Sequence, residues 1–216
     1  PLFAGKLEEK GEAAARVFAE QSLALLLWIL LVFVILFEIA MPFAIFAISA
    51  GFSAEPDKLE LVVLLSRITF PYLLFISLVS LMAGILNSMG RFAAAAATPI
   101  LLNLTLIGAL IWLVQFTPTP AHALAWGVAL AGVIQFLWLI GHCRRAGMAL
   151  RLPAARLTPD TRTMLKRILP GAIGAGVYQI NLLVDTNFAS FLDNGAITYL
   201  YMADRVTQLP LGVVGV

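Results

Sequence analysis

Asp204 and Arg205 stand side by side in a largely apolar run, and Glu38, Arg67 and Asp185 sit in similar surroundings. At mid-membrane depth an ionisable side chain costs at least about 2.5–3.5 kcal/mol on insertion scales, so it faces protein or a water-filled cavity. Five such residues exceed what a bundle needs if it only has to pack. Counting about 1.5 Å per residue from Ala196 puts Asp204 and Arg205 about 12–14 Å below the outer surface. At about 100° per residue, Tyr201, Asp204, Arg205, Gln208, Gly212 and Gly215 share one helix face. As sequence neighbours, Asp204 and Arg205 do not stack on each other, so each needs a separate partner. Gly171, Gly174, Tyr178, Asn181 and Asp185 form a second polar face, its small residues permitting close helix approach. Asn181 and Asp185 read either as hydrogen-bonding glue between helices or as cavity residues.

No bond-making constellation accompanies these residues. His122 and His142 fall at span ends without a Ser or Asp partner, and no Cys/His cluster has zinc spacing. Gly171-x-x-Gly174-x-Gly176 has the wrong order for a dinucleotide fingerprint, and no strand precedes it. Asn103-Leu104-Thr105 matches a glycosylation sequon but lies inside a span. Cys143, the single cysteine, cannot close an intramolecular disulfide and reads as an inert thiol.

The elements that carry these residues follow from composition and hydropathy. Of 216 residues 61% are apolar and 12% charged, against about 25% charged in soluble domains, which excludes a water-soluble globular protein. A formal net charge of +2 gives no extended basic surface for nucleic acid. About 20 apolar residues cross a bilayer as a helix. Five stretches qualify, 22–50, 61–86, 92–116, 121–141 and 168–192, and a sixth enters at Ala196 and runs to Val216. The expected class is an all-α polytopic membrane helix bundle. The chain opens at Pro1 without a methionine or signal-peptide pattern and ends inside an apolar run, which reads as a segment of a longer protein.

Charge sets the orientation. Lys6, Lys10 and Arg16, then Arg91, then Arg144, Arg145, Arg151, Arg156, Arg162, Lys166 and Arg167 fall on one side, and Lys58 alone on the other. By the positive-inside rule the start, the 88–92 turn and the 142–167 connection are cytoplasmic. The connection breaks at Leu152-Pro153 and restarts at Thr158-Pro159-Asp160, an N-cap followed by proline at the first helical position. Its basic residues either attract anionic membrane lipid, at about 1 kcal/mol each, or only enforce topology. The chain divides into a four-span group over 1–141, a basic linker over 142–167 and the start of a second group over 168–216.

The opening stretch Leu7–Glu20 reads as a solvated helix, and the stripe Ser77, Ser80, Gly84 and Asn87 as a packing surface. Glu38 is expected to pair with Arg67 across the first outward hairpin. Pro42, Pro71, Pro99, Pro170 and Pro210 are candidate bends.

Two segments carry a family resemblance. Ile85-Leu-Asn-Ser-Met-Gly-Arg-Phe92 with Thr98-Pro-Ile-Leu-Leu-Asn103, and Gln179-Ile-Asn181, Asp185, Ala189-Ser190, Gly195, Tyr199-Leu-Tyr201, Ala203-Asp-Arg205 and Leu209-Pro-Leu-Gly-Val213, resemble the MurJ/MviN family of lipid II flippases. Pro1-Leu-Phe-Ala4 is similar to the end of that family's second span. The resemblance implies a two-lobed exporter fold of about fourteen spans, the third to eighth being present here, with 142–167 as the inter-lobe linker. It also implies transport of lipid II, a polyprenyl-diphosphate-linked sugar-peptide, by alternating access, with no catalytic residue, metal or cofactor.

On this resemblance Arg205 maps onto an essential cavity arginine, and its planar fork suits bidentate binding of diphosphate oxygens. Asp204 would balance its charge in the empty cavity. Tyr201 and Gln208 complete the expected substrate face, and Asn181, Asp185, Glu38 and Arg67 are candidates for the cavity or for coupling to an unnamed ion. The alternatives are a drug/cation antiporter of the same superfamily and a membrane enzyme acting on a polyprenyl-diphosphate.

Overall fold

A computed structural model describes residues 2–193 and 195–214, side chains excepted at 53, 54, 178 and 209–214. Every described regular element is a helix. The first, α1 (Leu2–Ile48), is broken at Gly11, whose φ of 76° and ψ of 178° lie outside the helical region and favour glycine. A 3-10 turn, Ala50–Ala54, leads to α2 (Pro56–Thr69), where Pro56 and Asp57 suit the first turn. The run expected as one span over 61–86 is two helices, because the chain breaks at Phe70–Pro71 before α3 (Tyr72–Ser88).

Gly90, at φ 73°, ends α3. Its N–H donates to the Asn87 carbonyl and that of Arg91 to the Leu86 carbonyl, the 6→1 closure of a Schellman turn. This is the physical reason for glycine in the Asn87-Ser-Met-Gly90 turn. The next span arrives in pieces, α4 (Phe92–Ala96), α5 (Thr98–Trp112) and a 3-10 turn Leu113–Phe116, with Pro99 in the first turn of α5. Then come α6 (Pro120–Arg145), α7 (Pro159–Ala189) and α8 (Ala196–Val214). Thr158 caps α7 as its sequence indicates, its Oγ1 accepting from the Thr161 N–H at 3.3 Å.

Five helical stretches among the described residues, Leu2–Ile48, Pro56–Ser88, Phe92–Phe116, Pro120–Arg145 and Pro159–Ala189, are long and apolar enough to cross a membrane. The sixth expected span, α8, is not among them, because Asp204, Arg205 and Gln208 offset its apolar residues.

The chain groups into two compact units, one of 1–39 with 65–168 and the other of 40–64 with 169–216. In the first, Phe3, Phe18 and Leu23 of α1 share a core with Leu78, Met82 and Leu86 of α3 and with Leu139 and Cys143 of α6. The 7–20 stretch is therefore solvated only in its front half. Glu8, Glu9, Lys10 and Glu12 are exposed, whereas Ala15, Phe18 and Ala19 are buried. Gly132 lets α6 approach α3, since a Cβ there would lie 2.9 Å from the Tyr72 ring and 3.0 Å from Phe75 Cβ. Gln135, 1% exposed, donates to the Thr98 carbonyl at 2.7 Å and accepts from Tyr72 Oη at 3.3 Å, linking α3, α5 and α6.

The linker is tied to α1. Arg16 Nη2 donates to the Ala149 carbonyl, Arg151 N–H to Glu20 Oε1 and Arg156 N–H to Gln21 Oε1, at 2.9, 2.9 and 3.3 Å. Lys6 pairs with Asp160 at 2.7 Å.

In the second unit the C-terminal end of α1 and the turn that follows it meet the C-terminal end of α7. Asn187 Nδ2 donates to the Ala47 carbonyl at 2.9 Å, and the Gly51 N–H donates to Ser190 Oγ at 3.0 Å.

Candidate functional site

The residues with the strongest claim to chemistry lie on α8, and a helical repeat of about 3.6 residues pairs them one turn apart. Arg205 donates through both Nε and Nη2 to Tyr201 Oη, at 2.9 and 2.6 Å, and its Cζ lies 4.9 Å from the Tyr201 ring centroid. This contact fixes the plane of the guanidinium while using two of its five N–H donors. Gln208 Nε2 donates to Asp204 Oδ2 at 2.6 Å. Asp204 and Arg205 do take separate partners, and Gln208 and Tyr201 lie along their own helix. Tyr201, Arg205 and Gln208 are exposed and Asp204 is half-buried. The face therefore presents a braced cation with donors to spare and, one residue earlier, a carboxylate in contact with an amide. Such an arrangement can accept a bidentate oxyanion with an acid close by to balance the charge. Gly215 of the same face lies outside the described residues, as do the side chains at 209–214.

Asn181 and Asp185 are exposed on α7, one turn apart. Nothing lies within 4 Å of where a Cβ would sit on Gly171, Gly174 or Gly176. The close helix approach that these small residues permit is not made among the described residues.

Glu38 and Arg67 belong to the first unit and do meet, in a different way from the expected carboxylate pairing. Arg67 Nε donates to the Glu38 main-chain carbonyl at 3.3 Å. The described ion pairs are Lys6–Asp160, Arg16–Glu20 and Lys58–Glu55. Glu38 Oε1 is buried and has no hydrogen-bond partner. The cause is geometric. Pro42 lacks the N–H that the Glu38 carbonyl would otherwise accept within the helix, and this open carbonyl is the atom the arginine reaches.

Two features escape a reading of the sequence. The small-residue stripe of α3 does not serve packing throughout. Its Ser80 and Gly84 border a cavity of about 420 Å³, together with Ser88, Phe3, Phe18, Met164 and Arg167. Gln135 forms the polar link inside the first unit, and nothing in its local sequence distinguishes it from an exposed glutamine.

Known proteins resemble this chain along its whole length. A family model described as lipid II flippase MurJ matches residues 1–216. The probable lipid II flippase MurJ of Rhizobium tropici is 42% identical over 220 aligned residues, which cover 100% of this chain and 41% of the relative. That of Rhizobium meliloti (strain 1021) is 41% identical with the same coverage. The lipid II flippase MurJ of Burkholderia cenocepacia is 30% identical, covering 100% of this chain and 43% of the relative. The chain spans about two fifths of the length of these relatives.

Proposed function

Because the chain belongs to the lipid II flippase MurJ family, we propose that it is part of a transporter that moves lipid II from the cytoplasmic to the outer leaflet by alternating access. It is a multi-pass protein of the bacterial cytoplasmic membrane. The task is to carry a diphosphate-linked sugar-peptide headgroup past hydrocarbon while its polyprenyl tail stays in lipid. No bond is broken, so the reading asks for no catalytic residue and no cofactor.

The observation that carries the reading is the Arg205 guanidinium held by Tyr201 on the polar face of α8. In this reading Arg205 binds diphosphate oxygens through its remaining donors. Asp204, in contact with Gln208, limits the uncompensated positive charge when the headgroup is absent. Asn181 and Asp185 line the path or couple it to an ion, and Glu38 and Arg67 support it from the first group of spans. The group over 1–141 and the group starting at 168 act as the two lobes, joined by the linker over 142–167, whose exposed arginines face anionic lipid.

The test is growth of a flippase-depleted bacterium carrying the full-length parent protein. Arg205→Ala is expected to abolish rescue at unchanged protein level, and Arg205→Lys, which keeps the charge without the fork, to impair it. Full rescue by both variants would remove Arg205 from the substrate site.

A further inference from the structure

We propose that the turn between α3 and α4 and the end of α6 form a binding site for the phosphoglycerol headgroup of an anionic membrane lipid, with Arg91 holding the phosphate and His142 a headgroup hydroxyl. The site uses none of the α8 residues. It gives a role to Arg91 in the Asn87-Ser-Met-Gly-Arg91 turn, which the substrate reading leaves unused.

The residues meet round a cavity of about 500 Å³ bordered by Gly90, Arg91, Phe92, Ala94, Trp138 and His142, within the usual size range of a small-molecule site. All belong to the first unit. Arg91 leaves the Schellman turn exposed, and Phe92 beside it is 62% exposed. Trp138 and His142 lie one turn apart on α6 with ring centroids 4.2 Å apart. The charge pattern puts the 88–92 turn and the end of α6 at the cytoplasmic surface, and tryptophan collects at such membrane–water boundaries.

Internal bonds decide which atoms are left for a ligand. Trp138 Nε1 donates to the Ala94 carbonyl at 3.1 Å, which holds the indole against α4 as a wall and leaves it no donor. His142 Nδ1 lies 2.9 Å from the Trp138 carbonyl. A carbonyl only accepts, so Nδ1 carries the proton, and Nε2 of the neutral ring is an acceptor for a hydroxyl.

The anion has to come from outside the chain's own carboxylates. Residues 61–159 contain neither Asp nor Glu. The described ion pairs, Lys6–Asp160, Arg16–Glu20 and Lys58–Glu55, do not include Arg91, whose side chain makes no hydrogen bond among the described residues. A planar fork in that state suits two oxygens of one phosphodiester. A phosphoglycerol headgroup supplies those oxygens together with a hydroxyl for His142, and its acyl chains continue along the exposed Phe92 and Trp138 rings.

The test uses the full-length parent protein in detergent, with Trp138 kept and every other tryptophan replaced by phenylalanine. Three lipids brominated near the glycerol end of their acyl chains are titrated against Trp138 fluorescence: phosphatidylglycerol, phosphatidylmethanol, which keeps the charged phosphodiester without the hydroxyls, and phosphatidylcholine. Phosphatidylglycerol is expected to quench at the lowest concentration and phosphatidylcholine at the highest. Arg91→Gln should raise the half-quenching concentration of both anionic lipids at least about fivefold, the weight of one basic residue at a membrane surface. Arg91→Lys should fall between it and the parent. His142→Phe should remove the preference for phosphatidylglycerol over phosphatidylmethanol and keep the preference for both over phosphatidylcholine. Arg144→Gln removes an equal charge two residues from His142 but borders a different cavity, and should change nothing. An unchanged phosphatidylcholine curve reports that each variant is folded. Equal quenching by all three lipids, no shift in Arg91→Gln, or the same shift in Arg144→Gln overturns the site. Equal quenching by the two anionic lipids in the parent overturns the headgroup assignment, and displacement of phosphatidylglycerol by an equal concentration of inorganic phosphate overturns the lipid as its occupant.

Discussion

At the scale of single residues, Tyr201 is as informative as Arg205. Its hydroxyl accepts both Arg205 donors, so it sets the direction of the fork before any ligand arrives. Tyr201→Phe keeps the ring and loses the acceptor. On the proposed function it is expected to lower lipid II flipping by the full-length parent several-fold in liposomes, less than Arg205→Ala, with unchanged protein level. For Glu38 and Arg67 the geometry changes what a substitution should do. Arg67 holds a main-chain carbonyl, which every residue at 38 retains, and the buried Glu38 Oε1 is unsatisfied. Glu38→Gln should therefore support growth like the parent, whereas Arg67→Glu should impair it and should not be rescued by Glu38→Arg. The polar faces and their spacing were legible in the sequence, because a helical repeat is written in every four residues. Which atom of Glu38 met the guanidinium was not, since that depends on the local path of α1 around Pro42.

At the scale of elements, the helices are set by hydropathy and their ends by caps. Thr158 at the start of α7 and Gly90 at the end of α3 could be assigned from sequence, because both satisfy backbone groups within a few residues. The break at Phe70–Pro71 falls at a proline named as a candidate bend, although the apolar run passes through it without interruption and reads as one span. Close packing was invisible at Gly132 and Gln135, whose partners come from α3 and α5. Gln135→Ala leaves the Thr98 carbonyl and the Tyr72 hydroxyl without this partner. A buried polar group deprived of its partner costs about 1–3 kcal/mol, so the variant should melt measurably earlier in detergent. Gly132→Leu, which forces a side chain between α6 and the Tyr72 and Phe75 rings, should be the more severe of the two in the same measurement.

At the scale of the whole molecule, the basic connection is better held than its composition suggests. Lys6, Arg16, Glu20 and Gln21 of α1 engage Asp160, Ala149, Arg151 and Arg156. The surface ion pair contributes little, about 0.2–1 kcal/mol, so the main-chain bonds matter more. Glu20→Ala with Gln21→Ala should speed tryptic cleavage after Arg151 and Arg156 several-fold, read by limited proteolysis of the membrane-embedded protein. A long-range tie of this kind cannot be read from spacing, because Ala149, Arg151 and Arg156 bond to α1 through their backbone and only Asp160 does so through its side chain. The polarity of α8 bears on how the protein is made. At the depth expected from the sequence, Asp204 and Arg205 oppose partitioning from the translocon by about 2.5–3.5 kcal/mol each, and the described part of α8, 196–214, is not among the segments apolar enough to cross a membrane. The connection from α7 is short and closed by the Phe191 N–H on the Phe188 carbonyl and the Ala196 N–H on the Asp193 carbonyl. Integration of this segment is therefore expected to depend on its neighbour: 196–214 expressed behind α7 should settle in the bilayer, and 196–214 expressed alone should fail to integrate.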